Sequence, residues 1–160
     1  MKFEHLIEIN DLLNPLAYFI TREQLWRGLI LRAEAPKMFV PYLDEALIAE
    51  RTEVSMQRTL KYGALEVRDS VTFEHQQHVH YAVPAQGEIT PSTLRMQIEE
   101  PQAQRLFLRF TYDDGMPEAE DQESRMYNNY RKSAYQDADI DTVKVIRELA
   151  EAGRLDALPS

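Results

Sequence analysis

The chain has 160 residues, and its 27 acidic and 18 basic residues give a net charge of −9, which disfavours nucleic acids and anionic membranes as partners. Cysteine is absent, which excludes disulfides, thiol catalysis and cysteine-ligated zinc sites. No signal-peptide core occurs and no apolar run approaches the roughly 18 residues of a membrane span, so we expect a cytoplasmic protein with one domain over residues 1–160.

The first part of the chain predicts one strand followed by two helices. Residues 2–10 alternate in polarity, and the apolar face of this strand contains Phe3, His5, Ile7 and Ile9. Thr21 and Gln24 have the spacing of a capping box, which predicts the start of an amphipathic helix. That helix is expected to end near Ala35, because the following proline disfavours helical geometry in the residue before it. A short second helix is predicted over residues 36–43.

Only strands are predicted between the second helix and residue 115. Apolar residues alternate with polar ones, and turn residues separate the segments. The predicted strands cover residues 45–54, 55–62, 65–73, 78–83, 92–100 and 105–115. With the first strand they make seven, and the mostly short connections favour antiparallel pairing throughout.

The hairpin over residues 55–73 places two opposite charges on an otherwise apolar face. Gly63 and Ala64 fit a two-residue turn of type II′, which sets Arg58 opposite Asp69. Either the two form a structural ion pair that bridges the strands, or Arg58 offers a forked donor to a carboxylate, phenolate or phosphate of a ligand. A dry ion pair is costly to desolvate, so the pair favours a wet cavity over a solid core.

The last part of the chain predicts one long helix over residues 124–151, which Gly153 is placed to end. Apolar residues recur at three- and four-residue spacing and predict one buried face, formed by Tyr127, Tyr130, Ala134, Ala138, Val145, Leu149 and Ala152. The order of elements indicates an α+β fold in which a curved antiparallel sheet surrounds a long C-terminal helix. The space between two such layers is a common place for a ligand.

Five segments of the sequence are similar to a known family. They are MKFEHLIEIND at the start, ITREQLWRGLILRAEAPKMFVP, YGALEVRDSVTF, MQIEEP and ADIDTVKVIRELAEAGRL. They resemble the AtaL-like proteins of the SRPBCC superfamily, which includes START lipid-transfer domains, birch-pollen-allergen-like proteins and aromatic polyketide cyclases. The resemblance implies a helix-grip (START-like) fold over nearly the whole chain. It implies no particular function, because one scaffold hosts many functions, and it carries over no catalytic residues.

We therefore expect a hydrophobic or aromatic small molecule to bind between the sheet and the C-terminal helix. The candidate binding residues are Arg58, Asp69, Tyr81, Tyr112, Tyr127, Tyr130, Trp26, Phe39, Met56, Phe73, Met96 and Phe110. One alternative is an enzyme of the polyketide cyclase or aromatase kind that acts in the same cavity. Another is a ligand-free module that binds other proteins, and the edge strands leave a homodimer open.

The histidines and the acidic runs give weaker indications of a catalytic or metal site. His5 is interpreted as a hydrogen-bonded core residue, as a general acid or base in the cavity or, if Leu6 faces inward instead, as an exposed residue. Val79, Tyr81 and Val83 are expected to face inward, which turns His78 and His80 outward and leaves a metal site without a third ligand. We expect no metal and no cofactor. Asp113 and Asp114 are interpreted as part of an acidic surface run.

Overall fold

The computed structural model describes residues 1–156, and its elements follow the predicted order. The elements are β1 (Lys2–Glu8), α1 (Arg22–Glu34), a 3₁₀ helix (Pro36–Met38), β2 (Glu45–Ala49), β3 (Ser55–Tyr62), β4 (Leu65–Glu74), β5 (His78–Val83), β6 (Ser92–Gln102), β7 (Arg105–Asp113) and α2 (Gln122–Glu151). All seven strands form one antiparallel sheet in the order β1-β7-β6-β5-β4-β3-β2. The predicted α+β helix-grip architecture is confirmed. No helix within residues 1–156 is both long and apolar enough to cross a membrane.

The hairpin of β3 and β4 has the predicted register. Arg58 lies opposite Asp69, and Tyr62 lies opposite Leu65 at the end of the hairpin. Gly63 has a φ of +61°, while Ala64 is not among the residues with positive φ. Positive φ at the first central residue alone is the pattern of a type II′ turn, whose twist matches that of the flanking strands.

Two predicted elements are shorter than expected. Strand β2 ends at Ala49, because Glu50 has a φ of +52° and this left-handed conformation interrupts the ladder. The second helix is reduced to the 3₁₀ turn. Pro41 lies just beyond it, where it lacks an amide donor and disfavours helical geometry in the residue before it.

The capping box at the start of α1 is confirmed. The Thr21 hydroxyl accepts from the Gln24 amide at 3.1 Å, and the Gln24 side chain accepts from the Thr21 amide at 2.9 Å. Helix α1 crosses α2 closely at Gly28, where an added Cβ would lie 2.9 Å from Cγ2 of Ile146. The dry core lies here, between α1, the last turns of α2 and the inner face of the sheet.

The predicted inner face of α2 is wrong over most of the helix, because Ala134, Ala138 and Ala152 are exposed and only Leu149 of the predicted set is fully buried. Tyr127 is 64% exposed and Tyr130 is 73% exposed, and both point away from the sheet. The buried residues of α2 begin only at Asp139, and they are Asp139, Thr142, Val143, Ile146, Leu149 and Ala150. The first turns lie over a cavity rather than over dry core, so their inward side chains are polar and apolar periodicity does not mark them.

Candidate functional site

A cavity of about 360 Å³ lies between the inner face of the sheet and the first half of α2. The end of α1 closes one side of it. Its aliphatic walls are formed by Leu60, Val67, Val83 and Leu94. Four aromatic rings complete the lining, namely Tyr62, Tyr81, Tyr112 and Tyr135. The mixture of flat rings and branched aliphatic side chains gives the cavity a mainly apolar surface.

The structure brings four of the twelve candidate residues to this cavity, namely Arg58, Asp69, Tyr81 and Tyr112. Six others lie in the hydrophobic core, namely Trp26, Phe39, Met56, Phe73, Met96 and Phe110. The core position of these six corrects the expectation that they form the binding wall. Tyr127 and Tyr130 are excluded from the inner face by their exposure. Aromatic and apolar character alone does not separate core packing from a cavity wall.

Arg58 and Asp69 form a buried bidentate ion pair. Nε and Nη2 of Arg58 donate to the two carboxylate oxygens at 2.9 and 2.6 Å, and Nη1 donates to the Ala33 carbonyl at 3.0 Å. Each of the two charged side chains is only 4% exposed. Burial lowers the pKa of Arg58, but the hydrogen bond and the charge of Asp69 outweigh it and raise that pKa overall. The contacts join β3 and β4 to α1, which favours the structural interpretation.

Arg32 is a cavity residue that the sequence interpretation missed. It lies in the last turn of α1, half-buried, and its Nε donates to the Thr142 hydroxyl at 3.3 Å. Its guanidinium carbon lies 5.4 Å from the centre of the Tyr81 ring, and that of Arg58 lies 4.9 Å from the same ring. The signal was present in the sequence, because Arg32 follows Leu29 by three residues on the buried stripe of α1.

A second missed residue is Asp139, which joins two side chains beside the cavity. Asp139 is 1% exposed, accepts from the hydroxyl of Tyr112, and lies 3.2 Å from Nδ1 of His5. Burial raises the pKa of Asp139 to about 6, and the hydrogen bonds from Tyr112 and His5 offset only part of this increase. Burial and the neighbouring Asp139 charge also raise the pKa of Tyr112. His5 therefore lies on the inner side of β1 in a polar network.

The α2 side of the cavity is held in place by a pair of stacked tyrosine rings and by the carboxylate of Asp114. Tyr135 of α2 stacks on Tyr112 with ring centres 3.9 Å apart and planes inclined by 8°. Asp114 accepts from Nη1 of Arg131 at 2.9 Å and from the Met1 ammonium group. Burial alone would raise the pKa of Asp114, but these bonds and one from the Met116 amide lower it to about 2. Asp114 is thus a partly buried acid that holds Arg131 of α2 and the Met1 ammonium group, which corrects its interpretation as a surface acid.

The remaining histidines lie away from the cavity. Val79 is fully buried on the inner face of β5, as predicted, and His78 and His80 occupy the opposite face. Nε2 of His78 lies 2.9 Å from a carboxylate oxygen of Glu74. Within residues 1–156 no group of three histidine, cysteine, aspartate or glutamate side chains is arranged to hold a metal ion.

Comparison with protein families gives one match along almost the whole chain. The family model of AtaL, described as acetylaranotin biosynthesis cluster protein L, matches residues 7–153. No curated protein matches the sequence significantly.

Solved structures share the fold at low sequence identity. The di-domain ARO/CYC StfQ from the steffimycin biosynthetic pathway has a TM-score of 0.72 and 10% identity over 94% of this chain, and this chain spans 50% of the length of StfQ. The Zhui aromatase/cyclase from Streptomyces sp. R1128 has a TM-score of 0.64 and 12% identity, with 94% of this chain and 93% of that chain covered. Ara h 8.0201 has a TM-score of 0.58 and 9% identity, with 95% and 98% covered.

Proposed function

The chain belongs to the AtaL family, and on that premise we propose that it binds a hydrophobic or aromatic small molecule in the cavity between its sheet and α2. The observation that carries the proposal is the set of four tyrosine rings on the cavity wall. Tyrosine rings offer flat apolar surfaces at low entropic cost, which suits a planar ligand. The volume of about 360 Å³ lies at the lower end of the range for small-molecule pockets, so a ligand of a few fused rings fits best.

The neutral and the charged residues of the cavity wall are expected to have different roles in ligand binding. Leu60 and Leu94 cover the inner face of the sheet, and Tyr135 covers the α2 side. A ring between these layers removes apolar surface from water on both of its faces, which is the main source of affinity for such ligands. The charged side chains at the cavity then set the orientation of the ligand, while the apolar contacts supply most of its affinity.

The proposal is tested with the neutral fluorescent probe N-phenyl-1-naphthylamine. Leu94 lines the cavity, whereas the next residue, Arg95, is exposed and points to the opposite face of the sheet. We expect Leu94→Trp to fill the cavity and weaken probe binding about tenfold or more, since a ring-sized apolar contact area is lost. Arg95→Trp, the matched control, should bind the probe as the wild type does. Equal binding by both variants, or no binding by the wild type, would reject the proposed site.

A second candidate is an enzyme of the aromatase/cyclase kind, and the contact between Tyr112 and Asp139 favours it. When Asp139 is protonated, its hydroxyl can donate to Tyr112, and the Tyr112 hydroxyl is then free to donate to a carbonyl oxygen in the cavity. Such a donor assists enolisation of a bound ketone: the Tyr112 hydroxyl gives its proton to the carbonyl oxygen while a solvent water takes the α-proton, and solvent then returns a proton to Tyr112. The Zhui aromatase/cyclase has the same fold, so this fold can accommodate an enzyme of this kind.

The enzymatic candidate is tested with 2-tetralone, a bicyclic ketone with an acidic α-proton. We expect the wild type to accelerate exchange of that proton for deuterium, measured by NMR, with a rate that falls as the pH rises above about 6, where Asp139 loses its proton. Tyr112→Phe should lower the accelerated rate by about 10²-fold or more, the usual contribution of a positioned acid. A wild-type rate no faster than the rate in buffer would reject this activity, and an accelerated rate that is unchanged by Tyr112→Phe would reject Tyr112 as the donor.

A further inference from the structure

We propose that the ligand of this cavity is an aromatic carboxylate whose anionic group is bound by Arg32. The inference rests on the proposed function and names the chemical class of the ligand. It follows from the distribution of charge on the cavity wall, from the hydrogen bonds that Arg32 does and does not make, and from the shape of the guanidinium group.

The other cations at the cavity are already paired. Arg58 is bound by Asp69, and Arg131 is bound by Asp114, which also receives the Met1 ammonium group. Arg32 takes part in none of the ion pairs within residues 1–156. The cavity therefore carries one guanidinium group without a carboxylate partner.

The contacts of Arg32 hold its side chain in place but leave its two terminal nitrogens available to a ligand, as far as residues 1–156 show. Its Nε donates to Thr142 at 3.3 Å, and its guanidinium carbon lies 5.4 Å from the Tyr81 ring centre. The two terminal nitrogens make no hydrogen bond with the described part of the chain. A guanidinium group held at Nε and by a ring face presents its terminal fork in a fixed direction, which reduces the entropy lost when it binds an anion.

A carboxylate suits this fork. Its two oxygens match two parallel N–H donors, and it requires no further cation. Phosphate is commonly bound by backbone amides of a glycine-rich loop or a helix N-terminus, whereas Arg32 lies at the C-terminal end of α1. The tyrosine rings on the wall favour a carboxylate that is attached to a planar aromatic body.

The overall charge of the protein does not oppose this contact strongly. The net charge of −9 repels anions at long range, but salt screens that repulsion beyond about 8–10 Å. The charge of Arg32 opposes the rise in the pKa of Asp139, so the two groups lie near each other. The oxygens of Asp139 are already in contact with His5 and Tyr112. The cavity wall also carries Asp113, an exposed carboxylate that takes part in none of the ion pairs within residues 1–156. An anionic group is therefore favoured only where it contacts Arg32 directly.

The test compares 2-naphthoate with 2-naphthamide by isothermal titration calorimetry at neutral pH. The two probes have the same rings and nearly the same shape, and only the first is an anion. We expect the wild type to prefer 2-naphthoate by about tenfold or more, the scale of a charge-assisted bidentate contact. Arg32→Met should abolish that preference and leave 2-naphthamide affinity within about twofold, whereas Arg32→Lys should keep part of the preference because the charge remains. Arg95→Met, which removes an exposed arginine outside the cavity, should keep all of it.

The ratio of the two affinities within each variant cancels any general loss of structure, so the result does not depend on equal stability. A preference that survives Arg32→Met overturns the inference. So does equal binding of both probes by the wild type, although that result leaves the proposed function standing. Absence of binding by either probe overturns both. Binding of 2-naphthoate that is unaffected by Leu94→Trp places the anion elsewhere and also overturns the inference.

Discussion

Replacement of Arg58 by methionine should lower the free energy of unfolding by about 3–5 kcal/mol, the usual cost of leaving one buried charge without its partner. Asp69 is only 4% exposed, and both of its carboxylate oxygens accept from Arg58. The variant also leaves the Ala33 carbonyl without its donor. Burying an uncompensated carboxylate and carbonyl is far more costly than losing a surface ion pair.

Urea denaturation followed by circular dichroism measures this effect, and Arg109→Met is the matched control. Arg109 pairs with Glu99 and Glu4 in partly exposed positions, so its loss should cost less than about 1 kcal/mol. The double variant Arg58→Met, Asp69→Leu should recover much of the lost stability, because both buried charges are then gone. If Arg58→Met unfolds at the urea concentration of the wild type, the pair has no structural role. The interpretation of Arg58 as a ligand anchor would then regain support.

Replacement of Asp139 by asparagine should stabilise the protein increasingly as the pH rises from 4 to 7. Burial raises the pKa of Asp139 to about 6 in the folded state, above the value of about 3.9 in an unfolded chain. The folded state therefore keeps a proton that the unfolded state has lost, and stability falls as the pH rises through about 6. Asparagine carries no charge at any pH, so its advantage should reach on the order of 2–3 kcal/mol near neutrality.

The difference in unfolding free energy between the two proteins, measured across that pH range, isolates this effect from all other titrations. Asp141→Asn is the matched control, because Asp141 lies two residues along α2 and is exposed. His5 contacts Asp139, so the comparison is repeated in a His5→Gln background that removes this contact. A difference that stays constant from pH 4 to 7 would show that folding does not raise the pKa of Asp139, and it would remove the basis for the enzymatic candidate.

Most of the fold was predictable from local patterns. The capping box at Thr21 and Gln24 fixed the start of α1, and the glycine at position 63 fixed the turn. Because side chains alternate strictly along a strand, a known turn also fixes which residues face each other, and Arg58 opposite Asp69 follows directly. The lengths of β2 and the 3₁₀ helix were less predictable. Strand β2 ends at the left-handed conformation of Glu50, which is not a residue type that marks such a position, and the 3₁₀ helix ends before Pro41.

The cavity wall was predictable only in part. Arg58, Asp69, Tyr81 and Tyr112 were placed correctly on the inner face, since β-strand alternation assigns faces whatever the chemistry of the residue. Helix α2 has no such rule, and its face must be inferred from apolar spacing. That spacing selected Tyr127 and Tyr130, whereas the inward residues of the first turns are Arg131 and Tyr135.

The sequence by itself therefore determined the order of the elements, the antiparallel pairing and the register of the hairpin, because turns, caps and alternation act over a few neighbouring residues. Only the tertiary structure decided which side of α2 faces the sheet and where the core gives way to a cavity. A dry core excludes charge, so apolar periodicity marks it, but a cavity wall accepts arginine, aspartate and tyrosine together. Arg32 and Asp139 belong to that wall and its support. The place of Arg32 on the buried stripe of α1 was readable from the sequence, whereas only the contacts of Asp139 distinguish it from the solvated charges of α2.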